Sequence, residues 1–93
     1  YRAALVQLRQ ERSRFQRELA ALPGLRVIPS QANYVMAELL GGRSATELTA
    51  RLLEKDVLVK DLSAKLSGRP YLRLAVRNTQ DNDRLLAALR EVL

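Results

Sequence analysis

Three breaks constrain this chain most: Pro23-Gly24, Pro29-Ser30 and Gly41-Gly42. Proline cannot continue a helical hydrogen-bond ladder and glycine accepts the left-handed turn that follows a helix, so no regular element runs across these points. Ahead of the first break, Leu5, Leu8, Phe15, Leu19 and Leu22 recur at three-, four- and seven-residue spacings, which predicts a long amphipathic helix with these five as its buried stripe. After the break, "LRVI" reads as a short strand from Leu25. "ANYVMAELL" reads as a second strand, with Val35, Ala37 and Leu39 on one face and Tyr34, Met36 and Glu38 on the other.

Beyond Gly42 the period changes again. Ser44, followed three residues later by Glu47, is a capping-box signature, and Ala45, Leu48 and Leu52 then share a face with Leu53 nearby, predicting a helix of about three turns. "VLVKDL" from Val57 is a short β-branched strand, and Ser63 to Pro70 is a loop for which Asp61 serves as a cap. "YLRLAVR" alternates, with Leu72, Leu74 and Val76 pointing one way and Tyr71, Arg73, Ala75 and Arg77 the other. "NTQDNDRLLAALREVL" closes the chain as a helix capped by Asn78 or Thr79. Asp81 and Asp83 favour its positive end, and Leu85, Leu86, Leu89 and Val92 form its apolar stripe.

The resulting order is α-β-β-α-β-β-α. An α+β fold follows, in which a small, mostly antiparallel sheet of three to four strands carries its helices on one face, because each element has one apolar side to hide. The 93 residues, 47% of them hydrophobic, suit a single domain spanning residues 1–93. The chain opens at Tyr1 without methionine and helical patterning starts at once, so it is expected to be a piece of a longer polypeptide. No apolar run reaches membrane-spanning length and no signal-peptide layout is present, which makes a soluble domain the default, and the absence of cysteine fits a reducing, cytoplasmic setting while being compatible with others. Zero cysteine and zero histidine exclude disulfides, thiolate nucleophiles, imidazole bases and the usual zinc ligand sets within this chain, so no metal site and no self-contained catalytic set are expected.

The net charge of +6 raises a nucleic-acid reading. Its distribution favours a solvated face instead. Arg2, Arg9, Arg12, Arg14 and Arg17 are interleaved with Glu11 and Glu18, and only Tyr1, Phe15, Tyr34 and Tyr71 could stack on bases. The informative charges lie on the strands. Arg73 sits between two core-facing leucines on a stiff backbone, placed either to grip a carboxylate or phosphate bidentately or to form an ion pair within the sheet, with Glu38 as partner. Lys60 either aims its ammonium at the same region or is an exposed strand-end lysine.

"LPGLRVIPSQANYVMAEL", "VLVKDLS", "YLRLAVRN" and "DNDRLLAALREV", in this order and at these spacings, resemble the C-terminal small domain of fold type I pyridoxal-phosphate-dependent aminotransferases. Within that family the likeness is to the histidinol-phosphate aminotransferase-like group and its threonine-phosphate decarboxylase relatives, and it covers about Glu11 to Leu93. The resemblance implies that Arg73 holds the substrate's α-carboxylate or equivalent polar end. It implies that Lys60 falls where an arginine helps bind a distal phosphate, keeping the charge and losing the planar fork. Arg77 and Asn78 replace the glycine and threonine of many histidinol-phosphate enzymes, a form nearer the decarboxylase relatives, while Asn33 and Tyr34 match positions of structural character. The Schiff-base lysine and the other cofactor-binding groups would belong to a large domain of the same parent chain. None of Lys55, Lys60 and Lys65 takes that role, and the piece alone is expected to be inactive. A small amino-acid or amino-phosphate substrate and a homodimeric parent complete the implication. The rival readings are a free-standing small-anion module and a nucleic-acid-binding module.

Overall fold

The computed structural model describes residues 2–30 and 32–93, with only the backbone of Arg2. The readings that fall on Tyr1, on Gln31 within the Pro29–Tyr34 stretch, and on the Arg2 side chain lie outside the described residues. The elements are α1 (Arg2–Ala20), β1 (Leu25–Ile28), β2 (Tyr34–Leu39), α2 (Ala45–Glu54), β3 (Lys60–Asp61), β4 (Tyr71–Ala75) and α3 (Thr79–Val92). The four strands form one sheet of order β1-β2-β4-β3, with every neighbouring pair antiparallel. The α+β class and the α-β-β-α-β-β-α order match the sequence reading.

Alternation sorts the side chains as the pleat requires. Val35, Ala37 and Leu39 of β2 and Leu72 and Leu74 of β4 are buried beneath the helices, where they meet Phe15 and Leu19 of α1, Leu48 and Leu52 of α2, and Leu86 and Leu89 of α3. Each such leucine contributes roughly 1.5–3 kcal/mol by leaving water, so this one-sided layer holds the fold together. The caps work as expected. Ser44 accepts from the Glu47 backbone N–H, Asn78 rather than Thr79 accepts from that of Asp81, and Asp61 accepts from both the N–H and the hydroxyl of Ser63.

Three expectations are corrected. Leu5 and Leu8 do not join the buried stripe of α1; they are 37% and 61% exposed, and the stripe begins at Phe15. Nineteen helical residues span about 28 Å, more than the short sheet can cover, so the first turns overhang the core. The strand expected from Val57 contracts to Lys60–Asp61, because the Val57 N–H is taken by the Leu52 carbonyl and residues 57–59 run past β4 unpaired. Arg77 leaves the row of Tyr71, Arg73 and Ala75: β4 ends at Ala75, and the Arg77 Nε donates to Asp81 Oδ2 at 2.9 Å.

One buried polar junction ties the helices to the end of β4. Asn82, on α3, is 1% exposed. Its Oδ1 accepts from the Arg77 N–H at 3.0 Å, and its Nδ2 donates to the Arg77 carbonyl at 3.0 Å and to Glu11 Oε2 at 2.7 Å. Glu11 also accepts two bonds of 2.8 Å from Arg14, which bonds Asp83 at 2.8 Å as well. The Arg14 guanidinium, more than its other neighbours, holds the Glu11 carboxyl down at about 2.

Candidate functional site

The sheet face turned away from the helices carries the candidate site. Directly opposed residues in antiparallel strands share a face, so the register reads as rows across it. One row runs Arg26, Glu38, Tyr71. It is closed on itself: Arg26 Nε lies 2.8 Å from Glu38 Oε1 and its Nη2 lies 3.2 Å from the Tyr71 hydroxyl. The next row runs Ile28, Met36, Arg73, Lys60. It is open. Among the described residues no carboxylate pairs with Arg73, whose guanidinium carbon instead lies 5.4 Å from the centre of the Tyr34 ring. The ion pair considered between Arg73 and Glu38 is thereby overturned, since register gives Glu38 to Arg26.

Arg73 and Lys60 stand opposite each other across β4 and β3 and are both exposed. Like charges in direct opposition are unfavourable in a sheet and become favourable when an anion sits between them. The turn after β3 adds a third cation. The Lys65 N–H bonds the Leu62 carbonyl at 3.1 Å, and the Lys65 charge, followed by that of Arg73, lowers the Lys60 ammonium below its ordinary pKa. Leu58, Val59, Lys60, Asp61, Arg73 and Ala75 line a shallow recess of about 450 Å³ at this edge, with Leu58, 80% exposed, on its rim. Asp61 does not neutralise the cations. It points to the helix side, where Ser63 first and Thr46 second hold its carboxyl below the usual range.

The structure therefore brings Arg73 and Lys60 together and separates Arg77 from them. Two participants were not legible as such. Tyr34, read as structural, supplies the aromatic face over Arg73, a diagonal cross-strand contact that needs the register to be known. Lys65 sits in a segment read only as loop.

The family model described as aminotransferase class I and II matches residues 2–89. The chain belongs to this family. A CMP-5'-(3-aminopropyl)phosphonate synthase from Streptomyces rubellomurinus is 40% identical over 94% of the chain and 14% of its own length. A threonine-phosphate decarboxylase from Salmonella typhimurium is 42% identical over 92% of the chain and 23% of its own length. Among solved structures, the histidinol-phosphate aminotransferase from Clostridium acetobutylicum superposes with a TM-score of 0.88 at 27% identity, covering 98% of the chain and 28% of that protein. The chain thus spans less than a third of each of these relatives.

Proposed function

We propose that this chain is the C-terminal small domain of a larger pyridoxal-phosphate-dependent enzyme, histidinol-phosphate aminotransferase-like, and that its open sheet face is the anion-binding part of the substrate wall. The observation that carries this reading is Arg73, which lacks a carboxylate partner among the described residues, faces away from the helices and has Lys60 directly opposite. The planar Arg73 fork takes the substrate's carboxylate or equivalent anionic end bidentately; Lys60, a point charge, takes a distal phosphate or phosphonate with less geometric demand.

The cofactor's own cradle is assigned to the rest of the parent chain. Lys55 is ion-paired with Glu91 on the surface, and Lys60 and Lys65 are exposed. A side-chain carbon built at Gly41, Gly42 or Gly68 would meet nothing within 4 Å, so none of these glycines lines a close-fitting phosphate loop. These residues do not fit pyridoxal phosphate unaided, and no chemical step is assigned to them. Once bound by the parent, the cofactor supplies an electron sink. The part of Arg73 and Lys60 is to bind and orient, holding the substrate so that one bond faces the reacting centre. The remaining polypeptide, and the second subunit of a homodimer, would cover the exposed Leu5, Val6 and Leu8 of α1. No described helix is long and apolar enough to cross a membrane, and a cytoplasmic setting belongs to the same reading.

A second reading, a threonine-phosphate decarboxylase-like enzyme, is favoured by the 42% identity to that relative. Incubating the full-length parent with amino phosphates separates the two. Keto-acid-dependent loss of the amino group supports the aminotransferase, release of carbon dioxide without an acceptor supports the decarboxylase, and neither product contradicts both.

A further inference from the structure

Asn82 is the one polar side chain among the described residues that is fully buried; two of its side-chain hydrogen bonds go to Arg77, just past β4, and the third to Glu11 on α1. The last ladder pair of that strand is Ala75 with Tyr34. Past it, the Val76 N–H bonds the Asn33 carbonyl at 2.8 Å, and the next residue, Arg77, has both its backbone N–H and its carbonyl held by Asn82. A side-chain amide thus continues, at the strand's end, the pairing that a neighbouring strand would otherwise give. The stiffened segment is the one that sets Arg73 under Tyr34.

We propose that Asn82 is a positioning residue for Arg73. By closing the end of β4 it holds Tyr34 and Arg73 in the diagonal register that aims the guanidinium, and through Glu11 it ties this register to α1. Leaving the Arg77 N–H and carbonyl unpartnered in a partly buried position carries a desolvation cost, so without Asn82 the strand end loosens toward Ala75 and the guanidinium loses its fixed direction. The inference rests on the reading of Arg73 as the anion holder given above.

The test is a double-mutant cycle in the full-length parent, with an unreactive carboxylate, acetate, as probe and calorimetric titration as readout, far below the melting temperature and at constant ionic strength. Asn82→Ala is expected to weaken carboxylate binding about fivefold when Arg73 is present, and by less than twofold in the Arg73→Ala background, because its effect runs through that guanidinium. Equal weakening in both backgrounds, or a lowered melting temperature with unchanged affinity, overturns the proposal. If Arg73→Ala alone leaves carboxylate affinity unchanged, the underlying reading of Arg73 has failed, and the positioning role with it. Should Asn82→Ala not fold, Asn82→Ser keeps a short uncharged polar group at the junction, with no second carboxylate beside Glu11, while losing the amide donor. It is expected to show the same dependence on Arg73 at about threefold, and full independence of Arg73 contradicts the proposal.

Discussion

Arg26 and Arg73 are the same residue type on the same sheet face, one row apart, and only one is free to act. Arg26 has Glu38 opposite it and the Tyr71 hydroxyl beyond, so its charge is already paired inside the fold and its Nε and one Nη2 donor are engaged. Arg73 has Met36 and Lys60 opposite it and an aromatic ring diagonal to it. Register, not composition, makes the difference: what stands directly across a strand decides whether a guanidinium is a strut or a receptor. Arg14 marks the far end of this scale, engaged by Glu11 and Asp83 where α1 meets α3.

The largest effect expected from this contrast is catalytic. In the full-length parent, Arg73→Ala should lower kcat/KM by at least tenfold, about 1.4 kcal/mol of lost transition-state binding, with cofactor absorbance intact. Arg26→Ala should change it by less than twofold. Equal losses for the two would erase the distinction between the rows. A smaller effect is expected at Lys60, where the ammonium contributes charge without a fork: Lys60→Ala should raise the KM of a phosphate-bearing substrate about three- to fivefold, and Lys60→Arg should restore it. Failure of arginine to restore it would mean that Lys60 acts by something other than charge.

The structural end of the scale answers to acid. The Glu11 carboxyl is depressed from 4.5 to about 2, so its contribution to stability is complete above about pH 4.5 and is lost as pH falls toward 2. Unfolding followed by circular dichroism should show Glu11→Gln destabilised by roughly 1–2 kcal/mol at pH 7 and the gap narrowing below pH 4.5. Arg73→Ala should leave that profile unmoved, because among the described residues Arg73 has no carboxylate to hold.

Much of this arrangement was legible in the sequence. The Pro-Gly, Pro-Ser and Gly-Gly breaks, with the change of hydrophobic period across them, placed α1, β1, β2 and α2, and alternation in β4 put Arg73 opposite the core-facing leucines. What stayed hidden depends on neighbours distant along the chain. The overhang of Leu5 and Leu8 follows from the length of the sheet under α1, the shortness of β3 from the Leu52 carbonyl that takes the Val57 N–H, and the pairing of Glu38 with Arg26 from a register that periodicity cannot supply. Asn82 stood inside the "DNDRLLAALREV" stretch that carries the family resemblance, yet its contacts stayed hidden because its Glu11 partner lies 71 positions away.

The most direct measurement is a crystal structure of the full-length parent with substrate or an unreactive carboxylate analogue bound. The expected result is an anionic oxygen pair roughly 3 Å from the Arg73 guanidinium, with Arg26 still joined to Glu38. A ligand anion seated elsewhere, with Arg73 paired to an acid from the remainder of the polypeptide, would contradict the account.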